Sequence, residues 1–318
     1  MKAFFSDEYV LPLPEGHRFP MRKYRLTRDL AVARVPDLEL VVPRPAIRAE
    51  LERAHTSDYV DAVFAGTLPA AAQREIGFPW STAMVERSRR SVGATLGAAR
   101  VAIDDGIAFN LAGGTHHAYA DKGSGFCVFN DVAVTARTIR AERASDGLSP
   151  LNALVVDLDV HQGNGTASIL AADDDVFTLS LHGDKNFPFR KEPSDLDVPL
   201  PDGCDDDGYL AALDRALNEA LRRFAPDFVY YLAGADPYAG DRLGRLDLTV
   251  DGLGARDRRV FEMATSHGWP IVVAMAGGYG KVIEETCAIH AQTVAIGAEF
   301  AGRDRRDGPR GVDAREAA

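Results

Sequence analysis

The amino-acid sequence predicts an α/β protein built on a central, mostly parallel sheet flanked by helices. Five short runs rich in β-branched and aromatic residues, Ile107 to Leu111, Ala153 to Val156, Val176 to Leu181, Phe228 to Leu232 and Ile271 to Met275, alternate with stretches of helical periodicity. Polar clusters follow four of these runs directly: Gly113-Gly114-Thr115-His116-His117, Asp157-Leu158-Asp159-Val160-His161, Gly234-Ala235-Asp236 and Gly277-Gly278-Tyr279. In open α/β sheets ligands bind beyond the carboxyl ends of the strands, so four distant segments are expected to meet in one crevice.

The helices between the strands follow from spacing. Met84 to Asp104 sets Val85, Val92, Leu96, Ala99 and Ile103 on one face, and Asp206 to Phe224 does the same with Tyr209, Leu210, Leu213, Leu217 and Leu221. Further helices are expected over Val132 to Arg143, Leu253 to His267 and Lys281 to Ile296. The 318 residues are read as one catalytic domain over 1–300 and a disordered tail over 301–318, where RDRRDGPRG has no apolar periodicity.

Composition narrows the class. Hydrophobic content of 46% is ordinary for a globular chain, and no apolar run is long enough for a bilayer, so no membrane partner is expected. Met1 to Gly16 is broken by Asp7 and Glu8 and lacks the core of a secretion signal, which predicts a cytoplasmic protein. Three cysteines without CxxC spacing argue against a disulfide framework or a thiolate zinc site. A net charge of −11 disfavours nucleic acid. The same surplus of acid would suit a cationic ligand at an acidic mouth, although net charge says nothing about where the acids sit. Oligomeric state is unreadable.

Asp157, Asp159 and His161 alternate, so a strand continuing through them would turn their side chains to one side. Imidazole and carboxylate donors suit Zn²⁺, a catalytic zinc site takes three protein ligands, and Asp236 would supply the third. A lone DxH is more often a turn aspartate with a core histidine. The tandem DLDVH directly after ALVV weakens that reading, because several neighbouring buried carboxylates are costly without a cation. His116 and His117 follow a glycine pair that permits a tight turn; two neighbouring histidines are more often surface or loop residues, and beside a metal they would serve proton transfer. A glycine-flanked tyrosine such as Tyr279 is commonly a turn residue, yet its hydroxyl could donate to a developing oxyanion.

These residues together resemble the zinc-dependent histone deacetylase family, which includes acetylpolyamine amidohydrolases and has an arginase/deacetylase-like three-layer fold. The resemblance rests on GGTHHA at 113–118, GSGFCVFND at 123–131, VDLDVHQGNG at 156–165, TLSLH at 178–182, AGADPYAGDRLGRL at 233–246 and AGGYG at 276–280, all in the family's order. The QGNG and GDRLG variants look closest to its class IV branch and bacterial relatives. The resemblance implies Asp159, His161 and Asp236 as metal ligands, Tyr279 as the carbonyl-polarising tyrosine, and His116 and His117 as the acid/base pair. Asp157 would partner His116, Gly125 and Phe126 would line a narrow acyl channel, and Phe187 would form its opposite wall. Asp157, Ser180 and Leu181 match an inner monovalent-cation site, usually potassium. One departure stands out: Asn164 occupies the place where many members have a second aspartate, and an amide orients an imidazole without stabilising its cation. HRFPMRKY at 17–24 fits an early loop, with Lys23 near the inner cavity.

The expected activity is that of a zinc-dependent amidohydrolase acting on linear amides. It would hydrolyse the N-acyl, chiefly acetyl, amide of lysine side chains or related amines and release acetate. Iron(II) would suit the same ligands. Deacetylation of acetylpolyamines or small metabolites stays open, as does a non-catalytic acetyl-lysine binder. A two-manganese, arginase-like ureohydrolase would need more bridging acids than His161-Gln162-Gly163-Asn164 offers. The segment 182–200 is expected to form the substrate rim.

Overall fold

The computed structural model describes residues 1–302. The expected tail therefore lies, from residue 303 on, outside the described residues. Eight parallel strands form one sheet: β1 (Lys2–Phe4), β2 (Glu39–Val41), β3 (Ile107–Asn110), β4 (Ala153–Asp157), β5 (Val176–Gly183), β6 (Leu196–Leu200), β7 (Phe228–Leu232) and β8 (Ile271–Ala274), in the order β2-β1-β3-β8-β7-β4-β5-β6. Strands buried on both faces read as continuous apolar runs, which is why the five central ones were visible in the sequence. Their alternate residues feed two cores. Leu154, Val156, Val229, Tyr231 and Val273 pack on one side with α8 (Asp206–Arg223), α9 (Val250–Ser266) and α10 (Ile283–Phe300). Ala153, Val155, Phe228, Tyr230 and Val272 pack on the other with α5 (Thr82–Asp105) and α6 (Asp131–Ser145). The result is three layers.

The sequence reading missed the sheet edges and the N-terminal helices. β1 and β2 are three residues each, too short to show alternation. β6 carries Pro199, which cannot donate to a ladder and is tolerated because this strand is the sheet edge. The expected rim over 182–200 is corrected accordingly: it begins and ends in strand, leaving 184–195 as the connecting segment. Also unforeseen were α1 (Arg22–Arg34), α2 (Arg48–Leu51), α3 (Ser57–Ala65), α4 (Ala70–Ile76) and α7 (Asn164–Leu170), of which all but α1 span fewer than ten residues. In α1, charged residues break the apolar stripe, and only Lys23, Thr27 and Ala31 are buried. No helix among the described residues is long and apolar enough to cross a membrane.

Strand order explains the place of the crevice. From β4 the chain moves outward to β5 and β6, then returns with β7 on the other flank of β4 and moves away through β8. β4 and β7 are therefore neighbours whose following segments diverge to opposite sides, and Asp157 registers with Leu232. Such a switch point opens a cleft at the carboxyl ends of the two strands.

His55 beside this scaffold is locked neutral. Burial pushes its pKa down to about 4, against the opposing Tyr119 hydrogen bond, and the neutral ring is held by Nδ1–H donating to Tyr119 O while Nε2 accepts from the Asn130 N–H. Its folded pKa lies below the unfolded ~6.5, so the contribution is complete above that value and is lost as pH falls toward 4. Urea denaturation should accordingly lose about 2 kcal/mol from this residue between pH 7.5 and 5. His55→Gln, which keeps one donor and one acceptor, should flatten that part of the pH dependence; an unchanged slope would assign it to other groups.

Candidate active site

The ligand-bearing segment is a succession of turns rather than an extension of β4. The strand stops at Asp157, which corrects the expectation that pleat alternation aligns Asp157, Asp159 and His161. Each carboxylate instead accepts the backbone N–H two residues on: Asp159 N–H donates to Asp157 Oδ1 (3.2 Å) and His161 N–H to Asp159 Oδ1 (2.9 Å). Short acidic side chains favour this Asx geometry. Across the switch point, Val160 N–H donates to Asp236 Oδ1 (2.9 Å), tying the segment after β7 to the one after β4. Asp159, His161 and Asp236 are all buried and offer donor atoms within 4.8 Å of one another.

These residues fit a divalent cation. Asp236 Oδ2 is buried without a hydrogen-bond partner among the described residues and lies 3.3 Å from His161 Nδ1. Burial and the nearby Asp159 push the Asp236 carboxyl up to about 7. Burial opposes charging of His161, but Asp159 and Asp236 outweigh it and raise the imidazole to about 10. Two crowded acids and an imidazole drawn toward its cation make a site in which a dication relieves the repulsion. Gly277 permits the close approach: its N–H donates to Asp159 Oδ2 (2.7 Å), and a Cβ there would fall 2.1 Å from Asp236 Oδ2.

The histidine pair stands against this cluster. Gly113 and Gly114 both have positive φ, 78° and 69°, and turn the chain so that the rings of His116 and His117 lie 4.1 Å apart. His116 Nδ1–H donates to Asp157 Oδ2 (2.6 Å), and its Nε2 lies 3.9 Å from Asp159 Oδ1. Burial disfavours its cation, yet Asp157 and Asp159 raise it to about 9. His117 Nδ1–H donates to Asn164 Oδ1 (2.7 Å). Burial and then the neighbouring His116 and His161 hold His117 well below the usual imidazole range. One histidine of the pair thus favours the cation and the other the neutral ring, and the Asp157/Asn164 difference explains the split.

Tyr279 lines the same cavity, of about 820 Å³, together with His116, His117, Asp159 and His161. Burial raises its phenol well above the usual range, so the hydroxyl keeps its proton. Asp241 fixes the loop that carries it: Oδ2 accepts from Tyr279 N–H (2.6 Å), and Oδ1 accepts from the Leu243 and Gly244 N–H groups. Lys23 Nζ lies 5.0 Å from the Tyr279 ring centroid and donates to the Ala276 and Gly278 carbonyls. Gly125, Phe126 and Phe187 all line the cavity; Phe187 meets the His117 ring at 4.9 Å and Phe126 meets Tyr279 at 5.9 Å. Ser180 is the register partner of Asp157, Leu181 follows it, and the Ser180 hydroxyl lies 3.0 Å from His182 Nδ1.

Sequence reading overlooked three residues that hold this arrangement from behind. Asp131 is fully buried and accepts from Gly114 N–H (2.9 Å), Thr115 N–H (2.8 Å) and the Thr95 hydroxyl (2.6 Å), fixing the turn before the histidines. Asp241 does the same for the Tyr279 loop. Arg256, 0% exposed, donates to the Gly234 (2.6 Å) and Leu158 (3.4 Å) carbonyls, which adjoin the Asp236 and Asp159 segments. Asp131 and Asp241 stood inside the quoted motifs FND and GDRLG, whereas Arg256 on α9 carried no signal beyond a charge at a core-facing position.

Comparison with known proteins matches residues 17–295 to the histone deacetylase domain family. An uncharacterized protein of Picosynechococcus sp. is 45% identical over 289 residues, covering 90% of this chain and 95% of that protein. The histone deacetylase-like amidohydrolase of Pseudomonas aeruginosa is 31% identical, covering 95% of this chain and 88% of its own. A crystal structure of an HDAC homolog complexed with SAHA is similar at a TM-score of 0.79 and 26% identity, covering 95% of this chain and 84% of that one.

Arg256 pairs with Asp257 Oδ1 (2.8 Å), whose oxygens also accept from the Tyr231 and Thr293 hydroxyls. Breaking such a buried pair leaves one charge stranded. Arg256→Met should lower unfolding free energy by about 3 to 5 kcal/mol in urea titrations. Arg256→Met combined with Asp257→Leu should recover a substantial part of that loss; no recovery would mean that the carbonyl contacts, not the charge pair, dominate.

Proposed function

The chain belongs to the histone deacetylase family, and from that premise we propose that it hydrolyses the N-acyl amide of an acylated lysine side chain or related amine. Acetyl is the favoured acyl group and acetate the product. The observation that carries this reading is the meeting, in one cavity, of Asp159 and His161 with two differently tuned histidines and Tyr279, the buried Asp236 completing the donor set behind the wall. Asp159, His161 and Asp236 would hold one divalent ion, zinc or iron(II). When bound, that ion supplies Lewis acidity that polarises the amide carbonyl and makes water nucleophilic near neutral pH.

The remaining work falls to side chains. Asn164 Oδ1 takes the Nδ1–H of His117 and leaves its Nε2 lone pair to accept the proton of the attacking water. The same nitrogen then returns that proton to the departing amine, a role worth ~10² to 10⁴ in rate. His116, bound to Asp157, contributes positive charge 4.1 Å from the His117 ring and opposes premature protonation there. Tyr279 donates a hydrogen bond from its hydroxyl to the carbonyl oxygen as negative charge develops there, keeping its proton, a contribution of about 10² to 10³. Gly125, Phe126 and Phe187 confine the acyl-bearing chain. Asp157, Ser180 and Leu181 would hold a structural monovalent cation, potassium being favoured.

His117→Ala and Tyr279→Phe should each reduce hydrolysis of an acetyl-lysine reporter by about 10² or more with unchanged circular dichroism. A normal rate in either variant would remove that residue from the mechanism. Asp236→Ala should lose the ion, and a full equivalent of metal by elemental analysis would contradict its assignment.

A further inference from the structure

The cavity wall turns basic where it meets solvent. Arg18, Lys122, Lys185, Arg190 and Arg245 all line it and are exposed, and Glu75 is the single exposed carboxylate in the lining among the described residues. They come from four separate segments: the stretch before α1, the loop after His117, the β5–β6 connection and the stretch after β7. A chain with 47 acidic and 36 basic residues would by composition give an acidic mouth, so this ring runs against its average. Its charges are only partly paired, and the Glu192 carboxylate that accepts from the Tyr119 hydroxyl lies near Lys122. Arg18, Lys122 and Arg190 make no ion pair among the described residues, while Lys185 and Arg245 share the one acid Asp202 at 3.7 and 3.1 Å.

The ring also stands close to the channel. Phe187, on the same short connection as Lys185 and Arg190, contacts the His117 ring at 4.9 Å. Phe19, next to Arg18, packs against Phe126 at 5.3 Å. Lys122 lies 4.9 Å over the Tyr119 ring, and the Tyr119 hydroxyl accepts from the Asn164 amide that orients His117. One sign of charge around a cleft with apolar walls focuses the field into it.

Resting on the acyl-amide hydrolysis proposed above, we propose that this ring selects amides whose amine half carries negative charge near the scissile bond. The recognised chemistry is a carboxylate, supplied by an acidic peptide around the acylated lysine or by the free α-carboxylate of an acylated amino acid. Cationic amides, acetylated polyamines among them, meet repulsion at the same place.

The test uses zinc-loaded full-length protein and acetyl-lysine peptides differing only in Glu, Gln or Lys neighbours, with free Nε-acetyl-lysine and a monoacetylated diamine alongside. At low salt, kcat/KM for the Glu-flanked peptide or the free amino acid should exceed that for the Lys-flanked peptide by about tenfold, chiefly through KM. Whichever of the two leads identifies the source of the carboxylate. The ratio should collapse at about 0.5 M salt, where the Debye length falls to a few ångströms. Arg18→Glu combined with Arg190→Glu should reverse the order. Hydrolysis of the Gln-flanked peptide without any dependence on flanking charge, or with the diamine fastest, overturns the inference and leaves the hydrolase reading standing. No hydrolysis of any of the five overturns both.

Discussion

The structure depends on keeping three carboxylates, Asp157, Asp159 and Asp236, out of water at the ends of neighbouring strands, where none is more than 3% exposed. Isolated, each would be too costly to bury as an anion. The chain answers with backbone N–H groups from Asp159, Val160, His161 and Gly277 and with two imidazoles. That accounting leaves one oxygen, Asp236 Oδ2, unsatisfied, and it faces His161. The same hydrogen bonds that make the burial tolerable also fix the directions of the donor atoms. Stability and the geometry of a cation site are therefore set by one network.

Precision at the site comes from behind it. Asp131 holds the turn that leads into the histidines, Asp241 holds the loop of Tyr279, and Arg256 holds the carbonyls next to both acid-bearing segments. Each is buried, each binds the backbone of a site loop, and each lies outside the cavity lining. A loop pinned through its backbone cannot relax when its side chain changes partner, so the reacting groups stay pre-organised. Two residues with positive φ, Phe126 at 65° and Ala276 at 54°, sit beside this cavity, where packing and hydrogen bonds sustain conformations that L-residues seldom adopt.

Charge is divided by depth. Acids concentrate at the floor, where Asp157 and Asp159 favour the His116 cation, while burial and the neighbouring His116 and His161 keep His117 neutral. Bases gather at the mouth, on exposed positions farther along the loops after β3 and β7, on the β5–β6 connection and on the stretch before α1. Separation of this kind would let the outer residues vary with the ligand while the inner ones keep their hydrogen bonds.

Local periodicity, and the residue types that a buried site requires, made the central strands, the five longest helices and the four polar clusters at strand ends readable from the sequence. Asp159, His161 and Asp236 were legible for that reason, as were the histidine pair and Tyr279. Tertiary structure alone decided the rest. Strand order placed β4 beside β7 and so opened the crevice, a consequence of long-range pairing that no window of residues contains. The short edge strands, the proline-bearing β6 and the buried Arg256 exist because neighbours distant in sequence supply their hydrogen bonds. The alignment of the acids came from successive turns rather than from pleat alternation, and the basic mouth came from exposed residues of four segments whose meeting depends on the folded chain.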